Sequence, residues 1–386
     1  MLTMPSFFIS RQIRAVHSSF KDLFDELGFD YRISCTFLMY FLFGCSTLSE
    51  LVRRLPLSPS VSALGRYAPK FKSNRIMHRN RQRILKKMAE CGHSEFCFAV
   101  DDTANPKYSH GVYGSASFGS SSGLYFGQKV LVLVPIAYTF LKSKRDPDHI
   151  PSHDCADELL APAIVEGFPP FPVVADSWFD SKDFIKAVCE LGCDFAGELK
   201  SNRLARVSNK KGAERRKLGS WFAGLRRQRL PQTRYQKRAE KRGKVFRQKA
   251  LYINGLDSRL KIISVYNRIN GKTPFAYYAT TDLSMTGARL WKLARARWAI
   301  EVLFRDLKQS LGFGSMTAGG QGGAHMAVCI PLILATSIRL ESSSVWGAKK
   351  GETLGAIVMR IRENGFSDTV DAISSGAQPG LLARMQ

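Results

Sequence analysis

Acidic residues are few in this sequence. Its 386 residues include 32 Asp and Glu against 57 Lys and Arg, which gives a formal net charge of +25. A chain so poor in negative charge is suited to a polyanionic partner. Nucleic acid is favoured over a membrane surface, because no lipidation motif or basic amphipathic anchor accompanies the charge.

The sequence also lacks long apolar runs. Residues 1–8 have no positively charged region ahead of an apolar stretch, so we expect no secretion signal. The two most apolar stretches, residues 33–48 and 326–338, fall short of the roughly 20 residues that a spanning helix needs. Both are predicted to be buried helices, and we expect no membrane partner.

Cysteine pairs with the spacing of a zinc site are missing as well. The eight cysteines are scattered through apolar sequence, without a repeated Cys-x-x-Cys pair. Reduced thiols in a cytoplasm are the simplest interpretation. We therefore expect a cytoplasmic protein.

Positive charge is concentrated in one part of the chain. Residues 200–249, here called the basic segment, contain 19 Lys and Arg and only two acids, Glu214 and Glu240. Their net charge of +17 is about two thirds of the total of +25. A smaller basic run, residues 70–87, has eight Lys and Arg and no acid.

Residues 1–92 are predicted to be helical. Thr47 and Glu50 form a capping-box pattern that opens a helix to Leu55, and a second helix could cover residues 60–67. Helix, turn, helix and basic tail is the outline of a DNA-reading module. A helical bundle with a solvated basic face explains the same pattern equally well.

From residue 95 strands alternate with helices, which predicts a mixed α/β fold. Strands are expected at 96–100, 129–138, 172–175 and 193–199, with helices at 154–166 and 182–191. Residues 201–275 are predicted to form an inserted, basic, β-rich subdomain. A long helix should cover residues 286–311, and residues 346–386 should be a helical tail.

Two of the predicted strands end at an aspartate, Asp101 and Asp176. Ligands gather at the carboxyl ends of strands in open α/β sheets, so these two side chains could share one site. Paired carboxylates are suited to Mg²⁺, which takes few protein oxygens and keeps water or phosphate in its other positions. Aspartates at strand ends also serve as turn formers or helix N-caps.

The long predicted helix carries a third acid, Glu301, among cations. At about 100° per residue, Arg297 and Arg305 lie about 40° on either side of Glu301 and Lys308 lies about 20° away. A solvated face with ion pairs four residues apart would give a similar pattern. The excess of cations around one acid is better suited to phosphate.

At this point the residues resemble a known family. The segment RWAIEVLFRDLK resembles the signature helix of the DDE transposases of bacterial insertion sequences, in the branch around the insertion sequence four family. That signature is Tyr, two residues, Arg, three residues, Glu, six residues and Lys, and Arg297, Glu301 and Lys308 have the required spacing. The tyrosine position holds Ala294, and Arg295 or Trp298 could substitute for it.

The resemblance extends over about residues 96–314. AVDDTANPK looks like the strand of the first catalytic acid, which implies Asp101 with Asp102 as the alternative. VVADSWFDS looks like the strand of the second acid and implies Asp176. DFAGELKSNRL and YYATTDLS resemble the strands that flank the β-stranded insertion of the family.

The resemblance implies an organisation as well as a fold. It predicts an RNase H-like catalytic core formed by residues 93–200 and 276–345, with residues 201–275 as the insertion and residues 1–92 as a DNA-binding domain.

The implied chemistry is phosphoryl transfer on DNA by two Mg²⁺ ions, or Mn²⁺ in their place. Asp101, Asp176 and Glu301 would hold the metal and catalyse cleavage at terminal inverted repeats and strand transfer into target DNA. Arg297, Arg305, Lys308 and Trp221 are the predicted nucleic-acid contacts.

Trp221, with Phe222 and Tyr235, could stack on a base or plug a small β subdomain. A homodimer or larger synaptic complex on DNA, in the bacterial nucleoid, is expected. The alternatives are a cleavage-only nuclease on the same fold and a catalytically inactive DNA-binding protein.

Overall fold

The computed structural model describes most of the chain between residues 20 and 363. Residues within that span that are not described are 21–22, 25–28, 30, 46, 55–58, 92–95, 108, 110, 121–122, 135, 153, 231–243, 268–270, 317–319, 341–347 and 350. The chain divides into two compact units. The first unit is Met1–Cys91, Ala104–Lys129 and Val302–Gln386, and the second is Gly92–Thr103 and Val130–Glu301.

Helices dominate the first part of the first unit. They are α1 (Tyr31–Leu42), α2 (Leu48–Arg54), α3 (Val61–Tyr67) and α4 (Ser73–Cys91), with a 3₁₀ turn at Ala68–Lys70. The Thr47 hydroxyl accepts the Glu50 N–H at 3.0 Å, and the Ser60 hydroxyl accepts the Ala63 N–H at 3.2 Å. Both predicted helix starts are therefore confirmed, because each cap satisfies a backbone donor that the helix itself leaves free.

The apolar stretch at residues 326–338 belongs to a longer helix, labelled α10 (Gly320–Leu340), so its predicted length was too short. By length and composition this helix could cross a membrane, but 83% of its apolar window is buried inside the protein. Gly322 lets α10 approach the 3₁₀ turn, since a Cβ there would lie 2.4 Å from the carbonyl oxygen of Ala68. Residues 354–363 are helical, and residues 364–386 of the predicted tail lie outside the described residues.

A five-stranded sheet carries the first two predicted acids. Its strands are β1 (Phe98–Pro106), β2 (Ser115–Ser120), β3 (Gly123–Val134), β4 (Ala137–Leu141) and β5 (Val173–Val174). The order is β2-β3-β1-β5, with β4 paired to β3. Strands β1 and β5 are parallel, whereas β2 and β3 form an antiparallel hairpin. The strand predicted at 129–138 is thus two strands.

The prediction that the first strand ends at Asp101 is wrong. Strand β1 continues to Pro106, and its second half buries the polar side chains of Thr103 and Asn105. The Asn105 amide donates to the Gln128 side-chain oxygen at 3.0 Å, so the buried amide is paired. A search for apolar runs misses a strand whose inward side chains are polar.

A seven-stranded sheet lies in the second unit. Its strands are β6 (Ala196–Leu199), β7 (Leu204–Arg206), β8 (Arg216–Lys217), β9 (Gln228–Arg229), β10 (Val245–Ile253), β11 (Arg259–Tyr266) and β12 (Ala276–Thr280). The order is β6-β12-β11-β10-β7-β8, and β9 pairs with β10. The strands that flank the predicted insertion, β6 and β12, pair with each other. Strand β12 also pairs with β11, so the inserted strands extend the same sheet. The mixed α/β class is confirmed, with two sheets.

The remaining helices are α5 (Cys155–Val165), α6 (Lys182–Glu190), α7 (Leu218–Trp221), α8 (Gly287–Ala296) and α9 (Trp298–Ser310). The single helix predicted at 286–311 is therefore two helices that meet at Arg297. There the Ile300 N–H donates to the Arg297 carbonyl only three residues earlier, at 2.9 Å, which tightens the turn.

Two glycine substitutions test the packing of α10. Gly322→Ala should lower the free energy of unfolding by about 1–3 kcal/mol, because the methyl group meets backbone atoms that cannot rotate away. The matched control is Gly65→Ala in α3, where nothing lies within 4 Å of the added Cβ and the change should stabilise by about 0.5–1 kcal/mol. Chemical denaturation of both variants measures this, and equal effects at the two positions would contradict the packing described.

Candidate active site

The structure brings Asp101 and Asp176 near each other. Strands β1 and β5 are parallel, Asp101 lies within β1, and Asp176 follows the end of β5 by two residues, where its charge acts on Asp101. The Asp176 carboxylate also accepts the Trp178 N–H at 2.8 Å and so caps the 3₁₀ turn Ser177–Phe179. Asp176 thus has the structural role of an N-cap and faces a second carboxylate.

Arg297 joins Asp101 to Glu301. Its Nη1 lies 3.3 Å from Asp101 Oδ2, and its Nη2 lies 2.7 Å from Glu301 Oε1. The side chains of Arg297 and Asp101 are 18% and 16% exposed, and that of Glu301 is 36% exposed. Two predicted acids that are 200 positions apart in the chain therefore share one guanidinium.

Burial and negative charge shift the pKa of Asp101. Burial and the charge of Asp176 raise the pKa of Asp101 to about 7, although Arg297 and the N–H of Asp102 oppose the shift. Burial alone would lower the pKa of Arg297, but its hydrogen bond to Glu301 and the charge of Asp101 leave that pKa above its ordinary value. Of the two aspartates at 101 and 102, Asp101 is the one that meets Arg297. The choice between them as catalytic acid stays a prediction.

A fourth acid, Glu198, was missed by the sequence analysis. Strand β6 carries it, and the Glu198 N–H donates to the Ala175 carbonyl at 3.2 Å, next to Asp176. Burial raises the pKa of Glu198, and the charge of Asp176 adds to the rise while Arg297 opposes it. An acid inside the apolar run Phe195–Leu199 was the available signal, because charged residues are seldom enclosed without a reason.

A cavity of about 350 Å³ opens next to Arg297 in the second unit. Its lining combines one acid and three cations with aromatic and small side chains: Glu198, Lys244, Arg295, Arg297, Tyr278, Trp291, Ala294 and Trp298. Glu198 and Tyr278 are direct cross-strand partners, and burial raises the pKa of Tyr278 to about 12. Ala294, which replaces the tyrosine of the resembled signature, thus lies at the cavity wall.

The two remaining cations of α9 have different surroundings. Lys308 donates to the Ala104 carbonyl at 2.6 Å, and burial lowers its pKa. Arg305 is exposed and lies 3.5 Å from the carboxylate of Asp306. Lys308 is therefore held on the backbone of β1, whereas Arg305 points its charge to solvent.

Trp221 is half-buried in the basic segment. Its indole N–H donates to the Ala205 carbonyl at 2.9 Å, and the cationic groups of Arg216 and Lys249 lie 5.3 and 5.1 Å from its ring centre. Phe222 is 1% exposed. Phe222 is thus buried as a plug of the small β subdomain, the base-stacking role of Trp221 stays a prediction, and Tyr235 lies outside the described residues.

The acids offer a divalent cation the oxygens that it prefers, carboxylates in a half-buried place. In the part of the chain that the structure describes, however, no three His, Cys, Asp or Glu side chains form a ready metal-binding group. The guanidinium of Arg297 is the positive charge that pairs with the carboxylates of Asp101 and Glu301. The chemistry of the donor set fits Mg²⁺ or Mn²⁺, and the guanidinium already occupies two of the oxygens.

The pKa of Asp101 predicts a pH-dependent effect of Asp101→Asn. Because the pKa of about 7 lies above the value of about 3.9 for an unfolded chain, the stability gained from protonation is complete below about pH 4 and lost as the pH rises through 7. Asparagine cannot ionise, so the variant should gain on the order of 4 kcal/mol over wild type at pH 8 and almost nothing at pH 4. Chemical denaturation at pH 4 and pH 8 measures the free energy of unfolding, and exposed Asp183→Asn is the control. The same gain at both pH values would contradict the prediction.

Comparison with known proteins now bears on the site. The family model described as the transposase DDE domain matches residues 96–336. A solved structure that is similar shows a piggyBac transposase synaptic complex with hairpin DNA, at 11% sequence identity and a TM-score of 0.45, covering 98% of this chain and 83% of that chain. No curated protein sequence matches this one. Because the family model spans more than half of the chain and includes Asp101, Asp176 and Glu301, the chain belongs to the transposase DDE domain family, whose members are enzymes that cut and join DNA.

Proposed function

We propose that this transposase acts on an insertion sequence of the insertion sequence four type. It would cleave the terminal inverted repeats of the element and transfer the freed strands into target DNA, with Asp101, Asp176 and Glu301 as the catalytic acids. The observation that supports this most directly is the sharing of Arg297 by Asp101 and Glu301, since it brings a strand acid and a helix acid to one place.

Asp101, Asp176 and Glu301 are the residues that would hold Mg²⁺, or Mn²⁺ in its place. When bound, the metal supplies Lewis-acid activation of a water or 3′-hydroxyl nucleophile and stabilises the charge on the leaving oxygen. The chain contributes carboxylates in a place where burial, and after it the charge of Asp176, raises the pKa of Asp101. Arg297 opposes that rise and keeps two of the acids together.

The DNA backbone would lie on exposed cations of the basic segment. Lys210, Lys211 and Arg215 are exposed, and within the described part of the chain they form no ion pair. Unpaired surface cations release counterions when they meet phosphates, which gives tight, salt-dependent and sequence-independent binding. Arg305 adds one exposed cation on the helix of Glu301.

The resemblance and the sheet both support an RNase H-like core. Strand β1 pairs with β3 on one side and runs parallel to β5 on the other. Residues 1–92 would be the domain that reads the terminal repeats, with the basic run on α4 as its DNA-facing part. A homodimer or larger synaptic complex on DNA, within the nucleoid of a bacterial cytoplasm, completes the proposal.

Substitution of single acids tests the chemistry. Asp101→Asn, Asp176→Asn and Glu301→Gln should each lower cleavage of the element's own ends by at least about a thousandfold, since each removes a metal-binding charge. Binding of the same DNA should persist. Cleavage and joining of labelled end fragments with Mg²⁺ or Mn²⁺ measures this. Exposed Glu158→Gln is the control, and Asp102→Asn tests the alternative first acid.

The outcomes separate the alternatives. Cleavage without joining to plasmid DNA would indicate a nuclease that only cuts. No cleavage by the wild-type chain, with intact binding of the repeats, would indicate an inactive DNA-binding protein. Full activity of Glu301→Gln would contradict the assignment of the third acid.

The basic segment is tested by salt dependence. Replacing Lys210, Lys211 and Arg215 together by Gln should weaken DNA binding and reduce the slope of log K against log salt by roughly 0.9 for each lost phosphate contact. The matched control replaces Lys142, Lys182 and Lys186, exposed lysines that already lie within 4.0 Å of aspartates. Binding titrations at several salt concentrations give both slopes, and equal slopes for the two triple variants would refute a DNA contact at this place.

A further inference from the structure

The guanidinium of Arg297 occupies two of the carboxylate oxygens that could bind a divalent cation. It lies 3.3 Å from Asp101 Oδ2 and 2.7 Å from Glu301 Oε1. Two cations at such distances from the same oxygens repel each other strongly. A divalent cation that binds these two oxygens therefore displaces the guanidinium from at least one of the two carboxylates.

A displaced Arg297 needs another acid nearby. Its side chain is only 18% exposed, and a largely buried charge without a partner is strongly disfavoured. Asp176 is engaged as the cap of the 3₁₀ turn. Glu198 is available, since it lines the same cavity as Arg297, interacts with its charge, and makes no ion pair within the described residues.

Space for the movement is present. The cavity beside Arg297 has a volume of about 350 Å³, and Ala294 forms part of its wall. A tyrosine at position 294, as in the resembled signature, would take up part of this volume. The small side chain at 294 and the acid at 198 thus occur on the same cavity.

We propose that Glu198 is a positioning residue of this site, which accepts the Arg297 guanidinium when Asp101 and Glu301 take up a divalent cation. The inference rests on the proposed function, because it requires that these two acids bind the cation. Glu198 acts through Arg297 and takes no part in the reaction itself. It would change the affinity with which Asp101 and Glu301 bind a divalent cation in place of the Arg297 guanidinium.

Mn²⁺ binding to the full chain without DNA tests the proposal. Free Mn²⁺ is followed by electron paramagnetic resonance, which needs no turnover. Glu198→Gln should weaken binding roughly tenfold, because the displaced guanidinium loses its acceptor. Glu190→Gln, an exposed acid at the end of α6, is the matched control and should bind as wild type does.

A double-mutant cycle separates this role from simple attraction between Glu198 and the metal. Arg297→Gln should bind Mn²⁺ more tightly than wild type, since the competing cation is gone. In that background Glu198→Gln should have no further effect. If Glu198→Gln lowers the Mn²⁺ affinity equally in both backgrounds, Glu198 attracts the metal through space and the proposal is overturned. Unchanged Mn²⁺ binding by the single variant Glu198→Gln would also overturn it.

Ala294→Tyr provides a second measurement. Because the tyrosine fills the cavity, it should weaken Mn²⁺ binding when Arg297 is present and have no effect in the Arg297→Gln variant. An equal loss of Mn²⁺ affinity in both backgrounds would contradict the proposal. Thermal unfolding of each variant verifies that it is folded. If wild type binds no Mn²⁺ at all, the metal-dependent function fails together with this inference, whereas the outcomes above overturn the inference alone.

Discussion

One arginine between two carboxylates is the interaction on which the site depends. Without Arg297, Asp101 and Glu301 would be left with uncompensated charge in a half-buried place. Burial and the added negative charge of Asp176 raise the pKa of Asp101 in spite of Arg297. In the proposed function, a second positive partner would offset that charge. The carboxylate of Asp101 therefore matters twice: its raised pKa affects the stability of the free protein, and in the proposed function the same group holds the metal.

Local sequence was sufficient for some parts of this site and insufficient for others. Asp176 was predicted from the end of a short apolar strand, and β5 indeed ends just before it. The same reasoning placed Asp101 at a strand end, but β1 continues through the buried polar residues Thr103 and Asn105, of which Asn105 is paired with Gln128. Helical periodicity placed Arg297 and Glu301 on one face, although it did not reveal the break between α8 and α9 at Arg297.

Glu198 illustrates what a single sequence cannot provide. Its place in the site arises from the pairing of β6 with β12 and from the contact of β6 with Ala175, and both are long-range. Spacing along the chain contains no information on such partners. The base-stacking role of Trp221 stays a prediction: its indole N–H is paired with the Ala205 carbonyl, and Lys249 lies over its half-buried ring.

The uneven charge of the chain has a consequence for the free protein. Nineteen cations within residues 200–249 repel one another when no counter-charge is near. Contact with a nucleic acid relieves this self-repulsion, so polyanions that carry no recognition sequence should also protect the fold against heat. Purification that strips such polymers away would therefore leave the protein in its least robust form. Sulfate or phosphate in the buffer is a simple remedy, because these anions screen the crowded cations.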